Sequence, residues 1–179
     1  MKTTTIILSA AAALAVAACK QNEAAGGGAA PAPAGNLEAV LTAEAPPNPV
    51  SILEARKNPA AGADVTVTGK IMGRREPFVD GRALVVIGDP AALTSCDLRP
   101  GDSCATPWDV CCDEPAVIRK SIATVQVVDA DGSPLKEGLK GLGGMKELSS
   151  LVVTGTVAEG SNADNFVINA TGIHVAKAE

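Results

Sequence analysis

Aromatic side chains are nearly missing from this chain: Phe78, Trp108 and Phe166 are the three among 179 residues, and there is no tyrosine. A surface that stacks successive bases needs several exposed rings, so so small a supply argues against such a platform. Positive charge is also short. Lys and Arg number 15 against 20 Asp and Glu, a net charge of -5, which leaves no basic surplus to hold phosphates in competition with salt. Nucleic acid is therefore not an expected partner. The single histidine, His174, alternates with apolar residues late in the chain and has no Ser or Cys partner in view, so it reads as structural. Most acid, base and nucleophile pairings are lost with it, and carboxylates alone remain for such work.

What is present begins with an address. Met1 and Lys2 open the chain, and the apolar run after them, from Ile6 to Ala18, is about a dozen residues, too short for the roughly 20 that span a bilayer. These are the proportions of an export signal, which is set aside from the fold. Its end, Val16-Ala17-Ala18-Cys19, resembles the lipobox of bacterial lipoproteins. That resemblance implies removal of residues 1–18 and attachment of a diacylglycerol and an amide-linked acyl chain to Cys19. Several chains on one residue exceed what stable anchoring requires. Lys20 stands where Asp directs inner-membrane retention in that family, so the resemblance implies the outer membrane, facing the periplasm. The alternative is an ordinary signal peptide cut after Ala15-Val16-Ala17, with Cys19 left as a thiol.

Residues 19–49 are rich in Ala, Gly and Pro, including Gly26 to Gly28 and Pro31-Ala32-Pro33. Such a stretch buries too little to offset its ordering entropy and reads as a linker with a reach of roughly 30 Å. A short apolar piece at 37–41 is read as a transient turn. The folded domain is placed at 50–176, a length that suits one domain.

Within it, residues 64–72 alternate, with Val65, Val67, Gly69 and Ile71 on one face and Thr66, Thr68 and Lys70 on the other, the period of a half-buried strand. Further strands are expected at 83–87, 121–129, 150–158 and 165–175. Between the third and fourth, Leu135, Leu139, Leu142, Met145 and Leu148 recur at three- and four-residue spacing behind Ser133-Pro134, which predicts a short helix weakened by four glycines. A second helical piece is expected at 50–56. Val67-Thr68-Gly69-Lys70-Ile71 and Val153-Thr154-Gly155-Thr156-Val157 echo each other, and a glycine inside a strand marks a bend or bulge that lets a small sheet curl. Three strands, a helix and two strands is the order of the OB-fold, and the domain resembles exported OB-fold domains of bacteria. The expectation is a mainly β, five-stranded Greek-key barrel with one short helix between strands three and four. An open sandwich of the same strands is the rival.

Between strands two and three lies a cysteine-rich loop holding Cys96, Cys104, Cys111 and Cys112. Five cysteines less Cys19 leave these four, an even number suited to pairing in an oxidising compartment. A bond between the neighbours Cys111 and Cys112 is disfavoured, because adjacent Cα atoms lie about 3.80 Å apart, below the disulfide range. Two pairings stay open, each joining Cys96 and Cys104 to one member of the Cys-Cys pair, with each bridge contributing about 2–3 kcal/mol and Trp108 packing over them. The competing reading is a thiolate metal site, although C-x7-C-x6-C-C lacks the usual zinc knuckle. Redox exchange ranks lower, the C-x-x-C arrangement being absent. Thr106-Pro107-Trp108-Asp109-Val110-Cys111-Cys112 resembles a Thr-Pro-Trp-Asp-x-Cys-Cys motif of bacterial envelope lipoproteins, and that resemblance implies no activity.

Arg74 and Arg75 fall in the loop between strands one and two, which borders the ligand face of OB-folds. With Trp108 and Asp109 they are the candidate binding residues. Asp129-x-Asp131-Gly132 lacks the remaining ligands of a calcium loop and reads as a turn. The expected function is a membrane-anchored, non-catalytic envelope lipoprotein whose braced module binds an envelope protein, glycan or small ligand without a cofactor. The alternatives are metal binding by the four-cysteine loop and a hydrolase built on carboxylates such as Asp109 and Glu114.

Overall fold

The computed structural model describes residues 36–57 and 60–176. The expected signal segment, Cys19 and the linker up to residue 35 lie outside the described residues. Among those described, no helix is long and apolar enough to cross a membrane.

In chain order the regular elements are β1 (Val50–Ser51), α1 (Ile52–Ala55), β2 (Asp64–Lys70), β3 (Leu84–Gly88), α2 (Pro115–Ser121), β4 (Ile122–Gln126), β5 (Ser150–Val157) and β6 (Val167–Val175). Five of the strands, β2 to β6, correspond to the five expected from alternation. Their lateral order is β2-β3-β4-β6-β5, and β5 returns to pair with β2 over seven positions, from Asp64↔Thr156 to Lys70↔Ser150. The barrel is therefore closed. β4 and β6 run parallel, while the other barrel pairs are antiparallel. This is an OB-fold-like Greek-key barrel, with β1 added as a two-residue parallel partner of β2.

Alternation supplies the interior. Val67, Val85, Ile87, Val125, Leu151, Val153, Ile168 and Ile173 are fully buried together. Ile52 is added to this core by α1, whose first turn is held by the Ser51 hydroxyl accepting from Glu54 N and by the buried Asp89 carboxylate accepting from Leu53 N. Gly69 leaves the space that the Ile52 and Ile87 side chains occupy. Gly155 has a different reason. It sits at the register shift between β5 and β6, and any Cβ there would collide with the Asn169 carbonyl.

Two expectations are corrected. The folded unit begins before residue 50: Asn36 caps a 3-10 turn at Leu37–Val40, Leu37 and Val40 are buried in the main core, and Thr42 N donates to Ile173 O at 2.9 Å. The apolar pair outweighs the polar residues around it, so this stretch docks on β6. The helix expected over 134–148 is reduced to one 3-10 turn, Leu142–Gly144. Gly141, Gly143 and Gly144 all adopt positive φ, and a right-handed helix cannot pass through them. Leu139 and Met145 are still buried; their spacing records burial against the barrel rather than a helical face. Among the described residues the longest helix is instead α2, inside the cysteine-rich connection and opened by Pro115.

β3 is buried on both faces. Its outer face carries a second, smaller core of Met72, Leu93 and Val110, flanked by Trp108, Ile118 and Ile122. That core roots the cysteine segment on the barrel.

Candidate functional site

After Lys70 the chain leaves the sheet over 72–76 and returns at Pro77, whose carbonyl accepts from Val86 N at 2.7 Å, with Phe78 bridging Val85. The departure is made at Gly73, with φ of 102° and Ile122 Cγ2 only 2.7 Å from where a Cβ would stand. The gap left by this excursion is spanned by Trp108. Its carbonyl accepts from Gly73 N at 3.4 Å, and its indole Nε1 donates to Arg75 O at 2.9 Å.

Trp108 is held by its own loop. Cys96 N donates to Asp109 O and Asp97 N to Pro107 O, both at 2.9 Å, a short ladder across the cysteine segment. The Asp109 carboxylate accepts from Val110 N at 2.8 Å. Two other loop acids are paired: Asp97 faces Lys70 at 3.7 Å, and Asp113 binds Arg99 at 2.5 Å while accepting from Thr94 N.

Trp108 separates two grooves. One, of ≈ 480 Å³, is lined by Arg75, Phe78, Trp108, Lys140 and Glu147 among others. Lys140 Nζ lies 5.7 Å from the Phe78 ring centre and 2.5 Å from Glu147 Oε1. Burial works against charge on Glu147, yet its bonds to Lys140 and to the backbone hold its carboxyl below the usual range. The second groove, ≈ 940 Å³, runs from Pro107 and Trp108 past Lys146 and Glu147 to Ser149 and Val175. A cleft of ≈ 350 Å³ near Asn48, Val50 and Val157, at the far end of β2, has Asp64 as its charged group and no aromatic wall.

Of the residues singled out from sequence, Arg75 and Trp108 are brought together. Arg74 lies on a shallow depression beside Arg75 and Glu76. Asp109 is spent on the turn below Trp108, and neither it nor Glu114, at the start of α2, lines the two grooves. Phe78, Lys140, Lys146 and Glu147 were not singled out. Three of them belong to the segment read as a helix.

The cysteine sulfurs form the other cluster. The ligand atoms of Cys96, Cys104 and Cys111 lie within 4.8 Å of one another, and Cys96 Sγ stands 4.0 Å from Cys111 Sγ. Cys96 is buried, Cys104 half-buried and Cys111 exposed. No pair among the described residues stands at disulfide distance, and Cys112 is outside the trio. Burial pushes the Cys96 thiol up, and Asp102 and the two neighbouring sulfurs add to this. Cys104 is drawn down by the Thr106 hydroxyl, 3.4 Å from its sulfur, and by the Thr106 backbone. For Cys111 the bond to Cys96 pulls downward, but Cys112, burial and Asp109 outweigh it and the net direction is up.

Comparison of the chain with protein-family models, with curated proteins and with solved structures finds no match.

Proposed function

We propose that this chain is a lipid-anchored protein of the bacterial cell envelope, and that its OB-like barrel is a non-catalytic binding module working through the groove beside Trp108. One observation carries the binding reading: Arg75, Phe78, Trp108 and Lys140, from three separate connections, line a single groove. Two of the three aromatic residues are placed at that groove, whereas the third, Phe166, is buried in the core. The rings of Phe78 and Trp108, set among Arg75 and Lys140 and the acids Glu76, Asp80 and Glu147, suit a glycan ring or a polar envelope protein segment. The connection after the first barrel strand is also where OB-folds bind their ligands, an analogy of fold.

The anchor is Cys19, read from its lipobox, with the outer membrane favoured by Lys20. Oxidation in that compartment would join Cys96 to Cys111, whose sulfurs stand 4.0 Å apart, and so brace the loop that carries Trp108. No cofactor is needed. The scarcity of surface aromatics speaks against single-stranded nucleic acid, since Trp108 and Phe78 cannot seat a run of bases. The hydrolase alternative is weakened because Asp109 is committed to a backbone N–H away from the grooves.

Trp108 is the sole tryptophan, so its emission reports the groove directly. Titrating the purified protein with soluble envelope glycan fragments and peptides of envelope proteins is expected to give a saturable change in emission that Lys140→Ala abolishes. Absence of any saturable change would retire the binding reading. Membrane pelleting of the Cys19→Ser variant at wild-type levels would retire the anchor.

A further inference from the structure

We infer that Cys96, Cys104 and Cys111, in their reduced form, constitute a three-thiolate site for a thiophilic d10 cation, Cu+ or Zn2+. The argument is independent of the anchor and of the groove. With a metal–sulfur length of about 2.3 Å, donors lie about 4.0 Å apart in a planar trigonal site and about 3.8 Å apart in a tetrahedral one. Cys96 and Cys111 stand at 4.0 Å, and all three sulfurs fall within 4.8 Å. Bringing separations of at most 4.8 Å to that spacing shortens each by about 1 Å or less. Thiolate donors select Cu+ and Zn2+ over harder cations.

The backbone of Cys96 and Cys104, and the turn leading to Cys111, are already tied. Cys96 N donates to Asp109 O, Cys104 N donates to Asp102 Oδ1 at 2.7 Å, and Asp109 N donates to Thr106 O at 2.9 Å just ahead of Cys111. A Cys96–Cys111 bridge leaves Cys104 without a partner among the clustered sulfurs, yet the fold brings Cys104 to the same point. A three-donor site uses all of them. Cys112 is excluded from the trio although it is adjacent in sequence to Cys111. Cation binding displaces the thiol protons and transfers no electrons. Closing Cys96–Cys111 instead releases two protons and passes two electrons to an oxidant of the protein-disulfide class. The site and the brace are thus alternative states of the same sulfurs.

The test uses the full chain reduced under argon, freed of reductant, and titrated separately with Zn2+ and with Cu+ held in a competing chelator. Stoichiometry is read by native mass spectrometry, and thiol accessibility by alkylation and peptide mapping. One ion per chain is expected, with Cys96, Cys104 and Cys111 protected and Cys112 still labelled. Cys104→Ser should weaken binding by more than the roughly 10–100-fold that loss of an outer hydrogen-bond partner costs a metal site. Cys112→Ser should leave it unchanged. Cys104→Ser retains the Cys96–Cys111 pair, so its circular dichroism and thiol count after oxidation separate misfolding from loss of a donor. Absence of a stoichiometric ion, equal retention by Cys104→Ser, or equal loss in Cys112→Ser overturns the site and leaves the Trp108 titration untouched. The two titrations decide between the ions.

Discussion

The indole of Trp108 donates to the carbonyl of Arg75 across 33 positions of sequence, at 2.9 Å. This bond ties the cysteine segment to the excursion between the first two barrel strands. It makes one surface from two loops that would otherwise move separately, with the grooves on either side of the ring.

Trp108→Ala removes this donor together with the ring's packing on the small core of Met72, Leu93 and Val110. A half-buried ring costs less than the fully buried limit, so the expected loss is about 2 kcal/mol. Trp108→Phe keeps the ring but leaves the Arg75 carbonyl without its donor, at about 1 kcal/mol. Urea unfolding of the two variants checks the order; equal stability would place the ring outside the fold's energetics.

Leu37→Ala tests where the folded unit starts. The residue is 5% exposed and sits in the main core, so truncation is expected to cost about 2–3 kcal/mol. A linker residue would cost nothing measurable in the same thermal or urea melt.

Gly155→Ala is expected to be much worse than Gly69→Ala. At Gly155 the obstacle is backbone, the Asn169 carbonyl, whereas at Gly69 it is the ends of two isoleucine side chains at 3.0 and 3.1 Å. Overpacking of this kind costs about 1–3 kcal/mol, with Gly155 at or above the upper end. Similar melting temperatures for the two variants would contradict the bulge assignment.

Glu147 makes stability depend on pH. Its folded pKa is below the unfolded value, so its contribution is present above the unfolded pKa and is lost as pH falls through the folded one. Lys140→Ala removes the bonded cation and raises the folded pKa. The stability lost on the acid side of the melting-temperature profile should therefore be smaller in that variant, and profiles of the same shape would show that the pair does not titrate with folding.

In the oxidised protein, Cys111→Ser should lower stability by about 3 kcal/mol, the value for a closed loop of roughly 15 residues. Cys112→Ser should lower it less, because Cys112 is not among the three clustered sulfurs. Equal losses in denaturant unfolding would favour a pairing that includes Cys112.

The strands were legible because alternation is local. Val67, Gly69 and Ile71 take the buried positions that their spacing assigns, and the two echoing glycines stand where a Cβ would crowd its neighbours. The segment over 134–148 was misread for a related reason: three- and four-residue apolar spacing describes a helix and also an irregular loop pressed on a core, and glycines at positive φ decided between them. Leu37 and Val40 were lost in a stretch whose average composition is that of a linker, because two apolar residues weigh little in a window yet suffice once β6 offers them a surface.

Local pattern thus determined the five barrel strands, the glycine at the β5 bulge and the presence of an unusual cysteine segment, since each depends on neighbours in sequence. Tertiary structure alone decided that β5 closes onto β2, that Trp108 reaches Arg75, and that three of the four cysteines converge while Cys112 does not. Those outcomes depend on pairings between residues far apart along the chain. Their energies exist only when distant strands are in register, and no short stretch of sequence carries that information.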